Sequence, residues 1–154
     1  MKKFELSDEM LTDIDEIDNQ HRLLLSWGNA LSSDDTEANV MKVEEALGNL
    51  TRYVAYHFRA EEDAMKRYGY ERLEKHQKQH ERLMIEVAKL VNRSKKEGIG
   101  KGLLTELQYQ FTDWFIHHIK RWDQPFASFL KSSNISPIFP DSEEEIVYDW
   151  TDLN

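Results

Sequence analysis

Apolar and polar positions alternate along this chain at helical spacing for most of its length. The clearest seam is Val43, Leu47, Leu50, Val54, His57, Glu61 and Met65, in steps of four and three residues. It predicts a helix over about 37–67 with one face turned to a core. Ile17, His21, Leu24, Gly28 and Leu31 mark a helix over 15–31, and Leu73, His76, His80, Leu83, Val87 and Leu90 another over 71–96. Leu104, Leu107, Phe111, Trp114, His118 and Trp122 mark the last, over 103–131. Loop signals separate them: Ser32 to Asp35, Gly69, and the glycines at 98, 100 and 102. Four amphipathic helices with short connections predict an all-α, up-down-up-down four-helix bundle. Residues 1–16 read as an irregular arm anchored by Phe4, Leu6, Met10, Leu11 and Ile14. The helical rhythm stops after Lys131, so the expected division is a bundle domain over 1–131 and a tail over 132–154.

At 154 residues the chain is long enough to bury one sizeable core. It has no cysteine, which excludes disulfides, thiolate metal sites and cysteine-held iron–sulfur clusters. The N-terminus lacks the apolar core of a signal peptide, and no run approaches 18 apolar residues. The plain reading is a cytoplasmic protein that does not insert into membranes. A net charge of −9 argues against a nucleic-acid partner. That charge is concentrated in the tail, where Asp141, Glu143, Glu144, Glu145, Asp149 and Asp152 face no basic residue. Two readings of the tail stand: a solvated extension whose Ile138, Phe139, Tyr148 or Trp150 folds back on the bundle, or an acidic docking segment for a protein partner.

The chemistry concentrates between His57 and His80. His57 and Glu61, then His76 and His80, are each four residues apart and so share a helix face. On consecutive antiparallel helices the two pairs point into one space. Five of the six histidines (His21, His57, His76, His80 and His118) fall on the four seams. A buried imidazole without a partner costs about 1–3 kcal/mol. A metal cluster would satisfy all five at once; a polar network in the core is the alternative. His117 lies one residue off its seam and reads as solvated or as a neighbour of the ligands, with His118 as the ligand. Imidazole with carboxylate suits iron, zinc or manganese. Five nitrogens plus acidic groups exceed what one tetrahedral zinc can use, so two octahedral metals bridged by carboxylates fit better. No histidine has a Glu three residues before it, which weakens a ferritin-like reading.

Four segments carry a resemblance: IDNQH at 17–21, HFRAEEDAM at 57–65, GYERLEKHQKQH at 69–80 and WFIHHIKRWD at 114–123. Together they resemble the hemerythrin family in its single-domain bacterial form, over about residues 4–130. The resemblance implies one iron held by His76, His80 and His118 and a second by His21 and His57, with a position left for dioxygen. It implies that Glu61 and Asp123 bridge the two non-haem irons alongside an oxo or hydroxo group. Spacing alone would leave Asp123 on the surface, since it follows His118 by five residues. The implied activity is reversible oxygen binding for carriage, storage or delivery, rather than enzymatic turnover. Trp114, Phe115, Ile119 and Phe58 lie near the ligands in sequence and would give an apolar pocket with no clear acid–base group. The competing functions are an oxygen or redox sensor read by a partner, and a di-iron oxidase or a peroxide- or nitric-oxide-handling enzyme. The chain departs from the family pattern at Leu6, where a tryptophan is usual, near Asp13, where a glycine is usual, and at Phe115, where a leucine is expected.

Overall fold

The computed structural model describes residues 4–30, 40–98 and 101–137. Its helices are α1 (Asp15–Ala30), α2 (Val40–Arg67), α3 (Leu73–Glu97), α4 (Lys101–His118) and α5 (Gln124–Ser132). A π-helical turn, Ile119–Asp123, joins the last two. Helix α1 packs on α2 and α4, and α3 packs on the same two, so four rods form the sides of an up-down-up-down bundle. Among the described residues, no helix is long and apolar enough to cross a membrane.

The turn between α2 and α3 follows from Gly69, whose φ of 71° admits the left-handed conformation that ends the helix. Around it the Tyr70 N–H donates back to the Met65 carbonyl at 2.9 Å, closing the last turn of α2. Gly28 serves the packing of α1 on α4. A Cβ there would meet the Phe111 ring at 3.3 Å, and Phe111 is itself fully buried against Phe115.

Two apolar clusters fill the interior. The larger runs from Leu24 and Leu25 through Leu50, Val54, Leu83, Val87, Leu107 and Phe111. The smaller holds Ile17, Ala60, Ala64, Met65, Phe126 and Leu130 at the α5 end. In every helix the predicted ligand positions fall between these clusters, so the polar groups form a single layer across the bundle with apolar packing above and below.

Two expectations change, and the arm is irregular as expected. The fourth helix is unbroken over the predicted 103–131 but is not α throughout: a wider π turn over Ile119–Asp123 separates α4 from α5. The wider turn shifts the phase of the seam, so Asp123, not Trp122, takes the buried position. The arm is ordered by specific bonds. Asp18 accepts from the Thr12 N–H (2.9 Å), the Thr12 hydroxyl (2.8 Å) and the Asp13 N–H (3.2 Å). Asp13, at φ 62°, takes the left-handed turn where the resemblance expects a glycine, a conformation that Asp tolerates better than most residues. Lys131 donates to the Asp13 carboxylate at 2.9 Å, tying α5 to the arm. The predicted ends at Leu31 and 37–39 and the tail from 138 onward lie outside the described residues.

Candidate metal centre

Each ligand position arises from a helix that would bury that face in any case. His21 follows Ile17 on α1, His57 and Glu61 continue the α2 seam, and His76 and His80 continue that of α3. Asp123 needs a different device. In an α-helix, positions five apart are rotated away from one another, whereas a π turn, with its i→i+5 bond, brings them into line. Here the Gln124 N–H donates to the Ile119 carbonyl, five residues back. The next residue, Pro125, has no N–H with which to resume the α pattern to Arg121. The Asp123 carboxylate thereby lies 3.0 Å from His118 Nε2.

The structure brings all seven predicted side chains together, and each is almost wholly buried. They form two overlapping groups: Glu61, His76, His80, His118 and Asp123 in one, His21, His57, Glu61 and Asp123 in the other. Within each group the candidate donor atoms lie within 4.8 Å of one another, and Glu61 and Asp123 belong to both. His118 Nε2 is 3.1 Å from His76 Nε2 and 3.0 Å from His80 Nε2. His21 Nε2 to Asp123 and His57 Nε2 to Glu61 are 3.0 Å each. Neighbouring donors around an octahedral ion with bonds of about 2.1 Å are roughly 3 Å apart, so these spacings fit metal ligation.

Orientation supports the same fit. The Nε2 atoms of His21 and His57, both Glu61 oxygens and Asp123 Oδ2 are buried and have no partner with hydrogen-bond geometry. They are close yet not aimed at each other, as expected of groups directed at a shared centre. Leaving so many buried polar atoms unsatisfied would cost about 1–3 kcal/mol each. The donor set thus fits metal ions, and two of them better than one.

Protonation shows how the cluster balances itself without metal. Burial alone would lower the His21 pKa, but attraction from the Asp123 and Glu61 carboxylates, 3.0 and 3.6 Å away, outweighs it and raises it to about 9. His80 is likewise pushed down by burial and raised, on balance, to about 9 by Glu61 and Glu62. Burial dominates at His118, where attraction to Asp123 offsets it only in part and the pKa falls to about 4. Burial and mutual repulsion would raise Glu61, yet His57 and His21 hold it well below the usual carboxylate range. Asp123, opposed by burial, is held low by His118, His21 and His76.

Around the candidate ligands lie aromatic rings. Phe115 packs nearly perpendicular to His21, with ring centres 5.2 Å apart, and to His57, at 6.3 Å. Phe58 stacks on His80 at 3.8 Å, and Trp114 on His118 at 4.4 Å. Trp122 is half-buried beside His76, with Arg72 over its outer face. His117 is exposed, and its Nδ1–H donates to the Asp113 carbonyl at 2.8 Å, outside the cluster. Two further residues reach the ligands from behind: Gln20 Oε1 is 2.6 Å from His57 Nδ1, and Glu62 Oε2 is 3.1 Å from His80 Nδ1. Sequence reasoning assigned neither. Each is a chain neighbour of a ligand, but adjacency does not reveal that it bonds a histidine on another helix.

Comparison with known proteins agrees with this geometry. The model of the hemerythrin HHE cation binding domain matches residues 12–130. A bacteriohemerythrin of Stenotrophomonas maltophilia is 30% identical over 125 residues, covering 81% of this chain and 80% of the relative. One from Methylococcus capsulatus is 27% identical, covering 80% and 93%. Among solved structures, a hemerythrin carrying a leucine-to-tyrosine mutation superposes with a TM-score of 0.67 at 26% identity, over 76% of this chain and 88% of that one. A seven-residue cluster able to hold metal, on a bundle matched along most of its length, leads to one conclusion: the chain belongs to the hemerythrin family.

Proposed function

We propose that the chain binds dioxygen reversibly at a pair of non-haem irons, for carriage, storage or delivery, and is not an enzyme. The carrying observation is the inequality of two ligand groups that share Glu61 and Asp123. His76, His80 and His118 would hold one iron and His21 and His57 the other, whose smaller set leaves a place for a ligand. Glu61 and Asp123 would bridge them beside an oxo or hydroxo group. When bound, such a pair supplies two electrons to dioxygen and takes them back on its release.

The chain's own residues favour reversal over turnover. Phe115, fully buried, lies against both histidines of the smaller set. Ile119 is equally buried in the same apolar cluster, and an apolar surround of this kind keeps a site poor in water. Among the described residues, the only carboxylates paired with His21 and His57 are the bridging two, which leaves no separate acid to deliver protons there. The names of the bacterial relatives point the same way.

The test is the visible spectrum of the reduced, iron-loaded chain before air, after air and after oxygen is removed again. The expected result is a set of charge-transfer bands that appears with oxygen and disappears without it. Direct conversion to a stable ferric form would contradict carriage and favour the sensor or enzyme readings.

A further inference from the structure

Behind the converging donors lies a second layer that treats the two halves of the site differently. All five imidazoles approach the cluster through Nε2, which leaves Nδ1 on the far side of each ring. Two of those outer nitrogens have a side-chain oxygen opposite them: Gln20 Oε1 at His57 and Glu62 Oε2 at His80. The Nδ1 atoms of His21, His76 and His118 are buried with no hydrogen-bond partner. An oxygen acceptor keeps the proton on Nδ1 and so commits the Nε2 lone pair to the centre. Each half of the site therefore has one histidine oriented in this way, but by unlike groups. The two-histidine half has a neutral amide, and the three-histidine half has a carboxylate. Phe58, stacked on His80 with planes 4° apart, further limits rotation of that ring.

We infer that Gln20 and Glu62 are positioning residues that make the two metal positions electronically unequal, the carboxylate behind His80 favouring higher charge on the metal of the three-histidine half. The inference rests on the di-iron reading above. A carboxylate accepting the Nδ1–H draws the proton away from the ring and makes the opposite nitrogen a stronger donor, whereas an amide oxygen does so more weakly. A stronger donor stabilises the oxidised ion over the reduced one. Glu62 belongs to the same helix as Glu61 but acts on a histidine of α3, so its effect differs from that of the bridging carboxylate beside it.

The experiment uses the full iron-loaded chain and compares wild type with Glu62→Gln, Gln20→Glu and Glu62→Asp. Iron per chain is measured first, then the ferric–ferrous equilibrium by potentiometric titration followed in the visible spectrum. Glu62→Gln keeps a hydrogen-bond acceptor and removes the charge. It is expected to retain two irons while shifting the equilibrium about tenfold toward the ferrous state, ~59 mV for one electron. Gln20→Glu is expected to shift it the other way. Unshifted potentials in both variants, with two irons bound, overturn the inference and leave the di-iron reading standing. If Glu62→Gln loses iron, Glu62→Asp decides: iron and potential close to wild type support a role for the charge, and loss in both overturns it. A wild-type chain that takes up no iron overturns the di-iron reading and this assignment with it.

Discussion

Phe115 shows how much one side chain can set at this site. Its ring packs nearly perpendicular to those of His21 and His57, and it has no exposed surface. The resemblance expects a leucine here, and the larger, stiffer ring fills space beside the half of the site proposed to take oxygen. In Phe115→Leu the freed volume would admit water, and oxidation of the iron-loaded protein by air is expected to run several-fold faster. Equal oxidation rates in the two proteins would remove Phe115 from the account. Gln20 and Glu62 belong to the same scale, and they also mark where sequence reading stops. The histidines and Glu61 of the cluster could be read because helical seams place them on one face. Their outer partners could not, since a bond from α1 to α2, or from α2 to α3, depends on how the helices are rotated against each other.

The four helices and their boundaries were largely legible because apolar spacing, Gly69 and the glycine-rich loop agree with one another. The exception was the stretch from Ile119 to Asp123. Treating it as ordinary α-helix left Asp123 five residues from His118 and put Trp122 on the inner face. The π turn absorbs one extra residue with less rotation per residue, so Asp123 comes back toward the face that carries His118. The extra residue is invisible to a 3.6-residue period, and Pro125 is its one local cue. The arm is irregular as its sequence suggests, but the three bonds from Thr12 and Asp13 to Asp18 that hold it are encoded by no periodicity. Packing of α1 on α4 yields a prediction at this scale. Gly28→Val would drive a branched side chain into Phe111, which is held from behind by Phe115. The variant is expected to lose about 1–3 kcal/mol in urea unfolding. An unchanged midpoint and slope would mean that the rings yield.

For the whole molecule, a buried polar layer between two apolar clusters makes stability depend on what occupies that layer. Without metal, His21 and His80 have folded-state pKa values near 9, against an ordinary value of 6.5. The folded chain then holds protons that the unfolded chain releases. The stabilisation, on the order of 3 kcal/mol for each group, is full below pH 6.5 and is lost as pH rises through 9. His118 acts in the opposite sense: its folded value of about 4 makes its contribution full above 6.5 and lost as pH falls toward 4. The window from 6.5 to 9 therefore isolates the first two. The metal-free chain should show a falling Tm across it, and the metal-loaded chain, whose imidazoles are held neutral by ligation, a nearly flat one. Parallel profiles would contradict this account.

The central claim is that one layer of side chains holds two metals by sharing Glu61 and Asp123. Iron bound per folded chain, in wild type and in Asp123→Ala, tests it most directly. The expected values are two in wild type and no more than one in the variant, with helical content unchanged. A single iron in wild type, or two retained in Asp123→Ala, would contradict it.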